Sequence, residues 1–110
     1  VNCKLDLGTA VLAVVKKRDD DGGAFTDEIT QSLLALNDKI DMEPVLTRPG
    51  PTGPDSDRVR SIVGVYRVAG YLREDSPARI TKKGEERLER GLKAACKDKD
   101  ELERLWSLLR

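Results

Sequence analysis

The stretch Arg58–Lys83, RVRSIVGVYRVAGYLREDSPARITKK, constrains this chain most, because helix, stop, strand and turn signals follow one another within it. Val59, Ile62, Val63, Tyr66 and Ala69 recur at helical spacing and give one apolar stripe. Arg60, Ser61, Gly64 and Arg67 fall on the other side, two cations separated by residues too small to block a close approach. Gly70 is expected to end this helix by taking the left-handed conformation of a C-terminal cap. Tyr71–Arg73 and Ala78–Ile80 suit strands, with Glu74-Asp75-Ser76-Pro77 as the turn between them. Thr81 can then cap a further helix through its hydroxyl.

A helix followed by a basic β-hairpin resembles the second half of a winged helix-turn-helix domain. The residues that carry the resemblance are VAGYLRED, ARIT and KKGEERL. They look like the wing of PadR- or MarR-type regulators and of the N-terminal domain of Mrr-like restriction proteins. The resemblance covers about half the chain closely and the rest loosely, and it speaks for the fold rather than for one family. It implies a mainly α chain with a small β-hairpin wing (α+β), a winged-helix domain at 1–84 and a C-terminal helical extension at 85–110.

A chain of 110 residues is one domain on length alone. Its apolar share, 38%, is low and its charged share, 36%, is high, which suits a small helical domain with a large solvated surface. With four aromatics (Phe25, Tyr66, Tyr71 and Trp106), a base-stacking platform is excluded. The formal net charge is zero, but its distribution is not even. Residues 1–57 hold six Lys/Arg against eleven Asp/Glu, residues 58–83 seven against two, and residues 84–110 seven against seven. Positive charge is therefore concentrated where the helix and wing are expected, and local potential steers association more than the total does. A solvated surface with a chance asymmetry is the plainer alternative.

Upstream, Leu5, Val11, Leu12, Val14 and Val15 mark a first helix over Lys4–Lys17 with a wide apolar arc, as a central helix would have. DDDGG at 19–23 reads as a solvated turn, because neither the alternating Asp spacing nor the distal Glu of a calcium loop follows. Thr26 is expected to cap a second helix bearing Ile29, Leu33, Leu36 and Ile40, with Phe25 plugging its end into the core as a short strand beside the wing. The segment MEPVLTRPGPTGPDSD carries Pro44, Pro49, Pro51 and Pro54 where a helix-turn-helix has a short turn, and 44–54 is expected to be a mobile, extended connection. Asp55 or Ser56 supplies a fresh cap after it.

Beyond Lys82 the chain reads as helical. Leu88, Leu92, Ala95, Lys99, Leu102, Trp106 and Leu109 alternate spacings of four and three, with a break at 97–100 where Asp98 and Glu101 resemble a capping box. This seam either packs on the first helix or joins two copies, and the resemblance favours a homodimer through Leu92, Leu102, Trp106 and Leu109. Cys3 and Cys96 form no metal motif; they are expected to be buried free thiols, with a disulfide or redox pair as the alternative. No apolar run approaches the ~20 residues of a membrane span, no signal peptide is expected, and sparse cysteine suits the cytoplasm. The chain does not begin with Met, which leaves open that it is a piece of a longer protein.

No His is present, the serines have no base beside them, and no phosphate loop follows the glycines. The expectation is therefore a binding protein without cofactor or metal, not an enzyme. Double-stranded DNA is the expected partner, met by Arg58, Arg60, Ser61, Gly64, Arg67, Arg73, Arg79, Lys82 and Lys83, most simply in a dimeric transcriptional regulator. A protein–protein interaction module, or a domain of a larger DNA-processing or restriction assembly, is the alternative.

Overall fold

The computed structural model describes residues 4–51 and 53–108, so Cys3 and Leu109 lie outside the described residues. The chain is mainly helical with one small two-stranded antiparallel sheet. Helix α1 (Leu7–Arg18) is central: Leu7 and every residue from Thr9 to Val15 are buried. It packs against α2 (Thr26–Asn37), α3 (Asp57–Ala69) and α4 (Lys82–Ala95). An apolar arc that wide is what contact on several sides requires. The helix begins at Leu7 rather than Lys4. Asp6 caps it, accepting from Thr9 N and Thr9 Oγ1, and Leu5 is drawn into a parallel bridge with Met42.

After a 3-10 turn at Asp19–Asp21, Ala24 pairs with Ala78 through two backbone hydrogen bonds of 3.0 and 2.8 Å. Side chains alternate across an extended chain, so burying Ala24 turns Phe25 outward. Phe25 is 51% exposed and does not plug the core. It is also the N-cap of α2 in place of Thr26, its N–H donating to Glu28 Oε1. The strands expected at 71–73 and 78–80 reduce to the single bridge Leu72↔Ile80 and a 2.9 Å bond from Arg73 N to Arg79 O.

The regular sheet lies instead in the proline-rich segment. Strand β1 (Arg48–Gly50) pairs with β2 (Gly53–Asp55), with Pro49 opposite Pro54. Antiparallel pairs alternate between hydrogen-bonded and non-bonded positions, and two prolines fit opposite each other at a non-bonded one. The prolines thus set a register, and this part of 44–54 is a paired hairpin rather than a loose connection. Val45 is buried and its neighbour Leu46 exposed.

Ser56, fully buried, caps α3 by accepting from Val59 N, and Gly70 ends it with φ 84°. Thr81 Oγ accepts from Gly84 N at 3.1 Å and donates to Gly70 O at 2.5 Å, tying the start of α4 to the end of α3. Helix α5 (Lys99–Leu108) starts after Asp98, whose carboxylate accepts from Asp100 N. Leu88, Leu92 and Leu105 are buried in the common core, and Leu102 and Trp106 pack partly against it. Cys96 is buried and disulfide-bonded, which corrects the expectation of a free thiol there. No described helix is long and apolar enough to cross a membrane.

Candidate nucleic-acid interface

Helix α3 buries Val59 and Val63 and half-buries Ile62 and Tyr66. A helix that commits one stripe to the core presents the opposite one to solvent, and here that stripe is Arg60, Ser61, Gly64, Val65 and Val68. Val65 is 62% and Val68 91% exposed, so the outer face is cationic at its start, then small and apolar. A side chain at Gly64 would meet no atom within 4 Å.

The cations around this helix are largely engaged with carboxylates of the acidic first half of the chain. Arg58 pairs with Glu43, Arg60 with Asp55 at 3.0 Å, and Arg79 with Asp19 at 3.3 Å. Arg48 of β1 reaches Asp57 at 3.0 Å, and Arg73 lies 3.8 Å from Asp75. Much of the charge asymmetry between residues 1–57 and 58–83 is thereby an internal complementarity. Sequence reasoning saw both halves of it and missed Glu43, Asp55 and Asp19 as partners, since their pairing spans up to 60 residues.

Among the described residues Arg67, Lys82 and Lys83 are the cations of 58–83 without a carboxylate partner. Arg67 is half-buried, with its Nε enclosed and lacking a hydrogen-bond partner, whereas Lys82 is exposed. Lys83 donates to Ala69 O at 3.0 Å and lies over the Tyr71 ring, 5.6 Å from its centroid. Its place in the first turn of α4, unfavourable for that helix's dipole, is explained by the unsatisfied carbonyls at the end of α3. No bound phosphate is needed to account for it.

Of the residues expected at a subunit contact, Leu92 is buried within its own chain, while Leu102 and Trp106 are half-buried. Lys17 Nζ sits 5.2 Å from the Trp106 ring centroid, so Trp106 already has a partner on α1. Among the described residues no group of three or more His, Cys, Asp or Glu side chains is placed to hold a metal ion. In comparisons with known proteins, no family model, no curated protein and no solved structure matches the chain.

Proposed function

We propose that this chain is a winged-helix domain that binds duplex DNA through α3 and the 71–81 segment, acting by binding rather than catalysis. The observation that carries the reading is the free side of α3. Arg60, Ser61, Gly64, Val65 and Val68 stand in solvent, and Arg73, Lys82 and Lys83 extend the polar surface beyond its C-terminal end. A helix fits the major groove when nothing bulky holds its axis away, and Ser61 and Gly64 meet that need. Arg60 and Arg67, about two turns apart, have the guanidinium chemistry to hold a phosphate or to bridge guanine O6 and N7.

The ion pairs do not oppose this. Arg60 is itself exposed, so a phosphate can reach its guanidinium, and Arg48, 3.9 Å from the largely covered Asp55, stays beside that carboxylate when Arg60 turns away. That exchange has a sign that can be measured. Asp55→Asn should tighten duplex binding, and Arg60→Ala and Arg67→Ala should weaken it. In fluorescence polarisation with random duplex, contact with five phosphates per subunit gives a log–log salt slope of roughly −4.5. Arg79→Ala should flatten the slope by about one unit if it meets a phosphate.

A transcriptional regulator acting as a homodimer is the simplest form of this proposal, with α4 and α5 as the contact. Its compartment would be the cytoplasm. The Cys96 disulfide runs against that placement, because disulfides persist in oxidising compartments. Alkylating free thiols in intact cells before lysis decides it, and a capped Cys96 supports the cytoplasm. The exposure of Val65 and Val68 favours one other reading, a winged helix that docks on another protein. Failure of the intact chain to retard any duplex at low salt, genomic fragments included, selects that second reading.

A further inference from the structure

On the side of the molecule where the start of α1 meets α4, an open cleft of about 570 Å³ lies between Lys4, Asp6, Tyr71, Arg87, Arg90 and Gly91. A volume in this range accommodates a small molecule. Its lining sets three cations against one carboxylate. Arg18, Arg48, Arg58, Arg60, Arg73, Arg79 and Arg104 all have carboxylate partners. Lys4, Arg87 and Arg90 have no hydrogen bond or ion pair among the described residues. Asp6, the carboxylate among the described lining residues, keeps its charge but is turned to capping α1, one oxygen accepting from Thr9 Oγ1 at 2.6 Å and the other from Thr9 N at 3.3 Å, and it faces three cations.

Gly91 sets the wall of the cleft: a side chain there would lie 2.4 Å from Thr9 Oγ1 and 2.9 Å from Arg87 Nη1, so the missing Cβ lets α1 approach α4 and leaves room for the guanidinium. Tyr66 is close enough for the Arg87 charge to act on its hydroxyl. Tyr71, whose ring is already met by Lys83 Nζ and by the Tyr66 ring, adds apolar surface to the polar mouth together with Ala94 and Ala95. Cations unpaired among the described residues, beside apolar surface, match a ligand with an anionic head and an apolar body.

We propose that this cleft is a binding site for a small organic anion, a carboxylate or phosphate carried on a small apolar group, with Arg87 and Arg90 as the headgroup contacts. The site does not depend on α3 meeting DNA. Titration of the intact chain with phenyl phosphate and with benzoate, followed by amide chemical shifts, tests it, with benzyl alcohol as the neutral control. At least one anion should give saturable shifts confined to residues 4–6, 71 and 87–95, and benzyl alcohol none. Arg90→Gln, at an exposed position, should weaken that binding at least tenfold with the fold unchanged, and Arg87→Gln should do the same. Shifts linear in concentration, an equal response to benzyl alcohol, or unaltered affinity in Arg90→Gln would overturn the proposal. So would displacement of the anion by a duplex oligonucleotide that shifts the same amides, since the cations would then serve a polynucleotide backbone.

Discussion

Gly84 shows how one residue sets the approach of two elements. It lies in the first turn of α4, where Ala is intrinsically better by about 1 kcal/mol. A Cβ there would stand 2.0 Å from Tyr71 O and 2.8 Å from Ile80 Cγ1, and a backbone carbonyl has little room to yield. Gly84→Ala should therefore lower stability by about 1–3 kcal/mol in urea unfolding. Gly64→Ala on the open face of α3 should raise it by up to ~1 kcal/mol, and the same sign for both would refute this account. The Tyr66 hydroxyl is a second such point, its pKa raised above the ordinary 10.0 chiefly by burial, with the Arg87 charge acting the other way. A phenol whose folded pKa lies above its unfolded value keeps its proton longer when folded. Its contribution is present below pH 10 and is lost as pH rises through the folded value. Tyr66→Phe should then lose less stability than the parent between neutral and strongly alkaline pH, read from urea midpoints. Parallel pH curves would exclude the effect.

Among the elements, α3 is anchored by the cap residue that precedes it. Ser56 is fully buried and its hydroxyl is the acceptor for Val59 N, so Ser56→Ala removes a cap and leaves that amide unsatisfied in the interior. A loss of about 1–2 kcal/mol is expected, and a thermal midpoint equal to the parent's would mean that another group takes over the amide. A cap at Asp55 or Ser56, the Gly70 stop and the Thr81 cap were legible in the sequence because each depends on neighbours within a few residues, and the structure chooses Ser56. Phe25 was misplaced because its orientation follows from the pairing of Ala24 with Ala78, far along the chain. The proline-rich hairpin was missed for a related reason. Prolines read singly deny amide donors, and they are compatible with a sheet only once paired across it, Pro49 with Pro54.

At the scale of the whole molecule, the question is how much of the α4–α5 seam is left for a second copy. Leu88, Leu92 and Leu105 are spent on the chain's own core, and Trp106 lies against Lys17. Among the described residues the remainder, chiefly the uncovered parts of Leu102 and Trp106, is modest against the association entropy a dimer must overcome. If the homodimer forms through it, sedimentation should show concentration-dependent association that Trp106→Ala with Leu102→Ala weakens. A monomer at high micromolar concentration would remove the homodimer from the proposal and leave the seam as internal packing.

By itself the sequence determined the local grammar of this protein. Apolar spacing placed the helices, Gly70 and Thr81 punctuated them, and the wide apolar arc of 11–15 put α1 at the centre. These are properties of short stretches, governed by backbone geometry and by which face avoids water. Tertiary structure alone decided which charges stay free. Arg58, Arg60 and Arg79 read from sequence as an unopposed basic surface, yet folding brings Glu43, Asp55 and Asp19 against them. Among the described residues it left Arg87 and Arg90 without a hydrogen bond or ion pair, in a cleft that the sequence does not suggest. Coulomb attraction depends on distance through space, and distance along the chain says little about it.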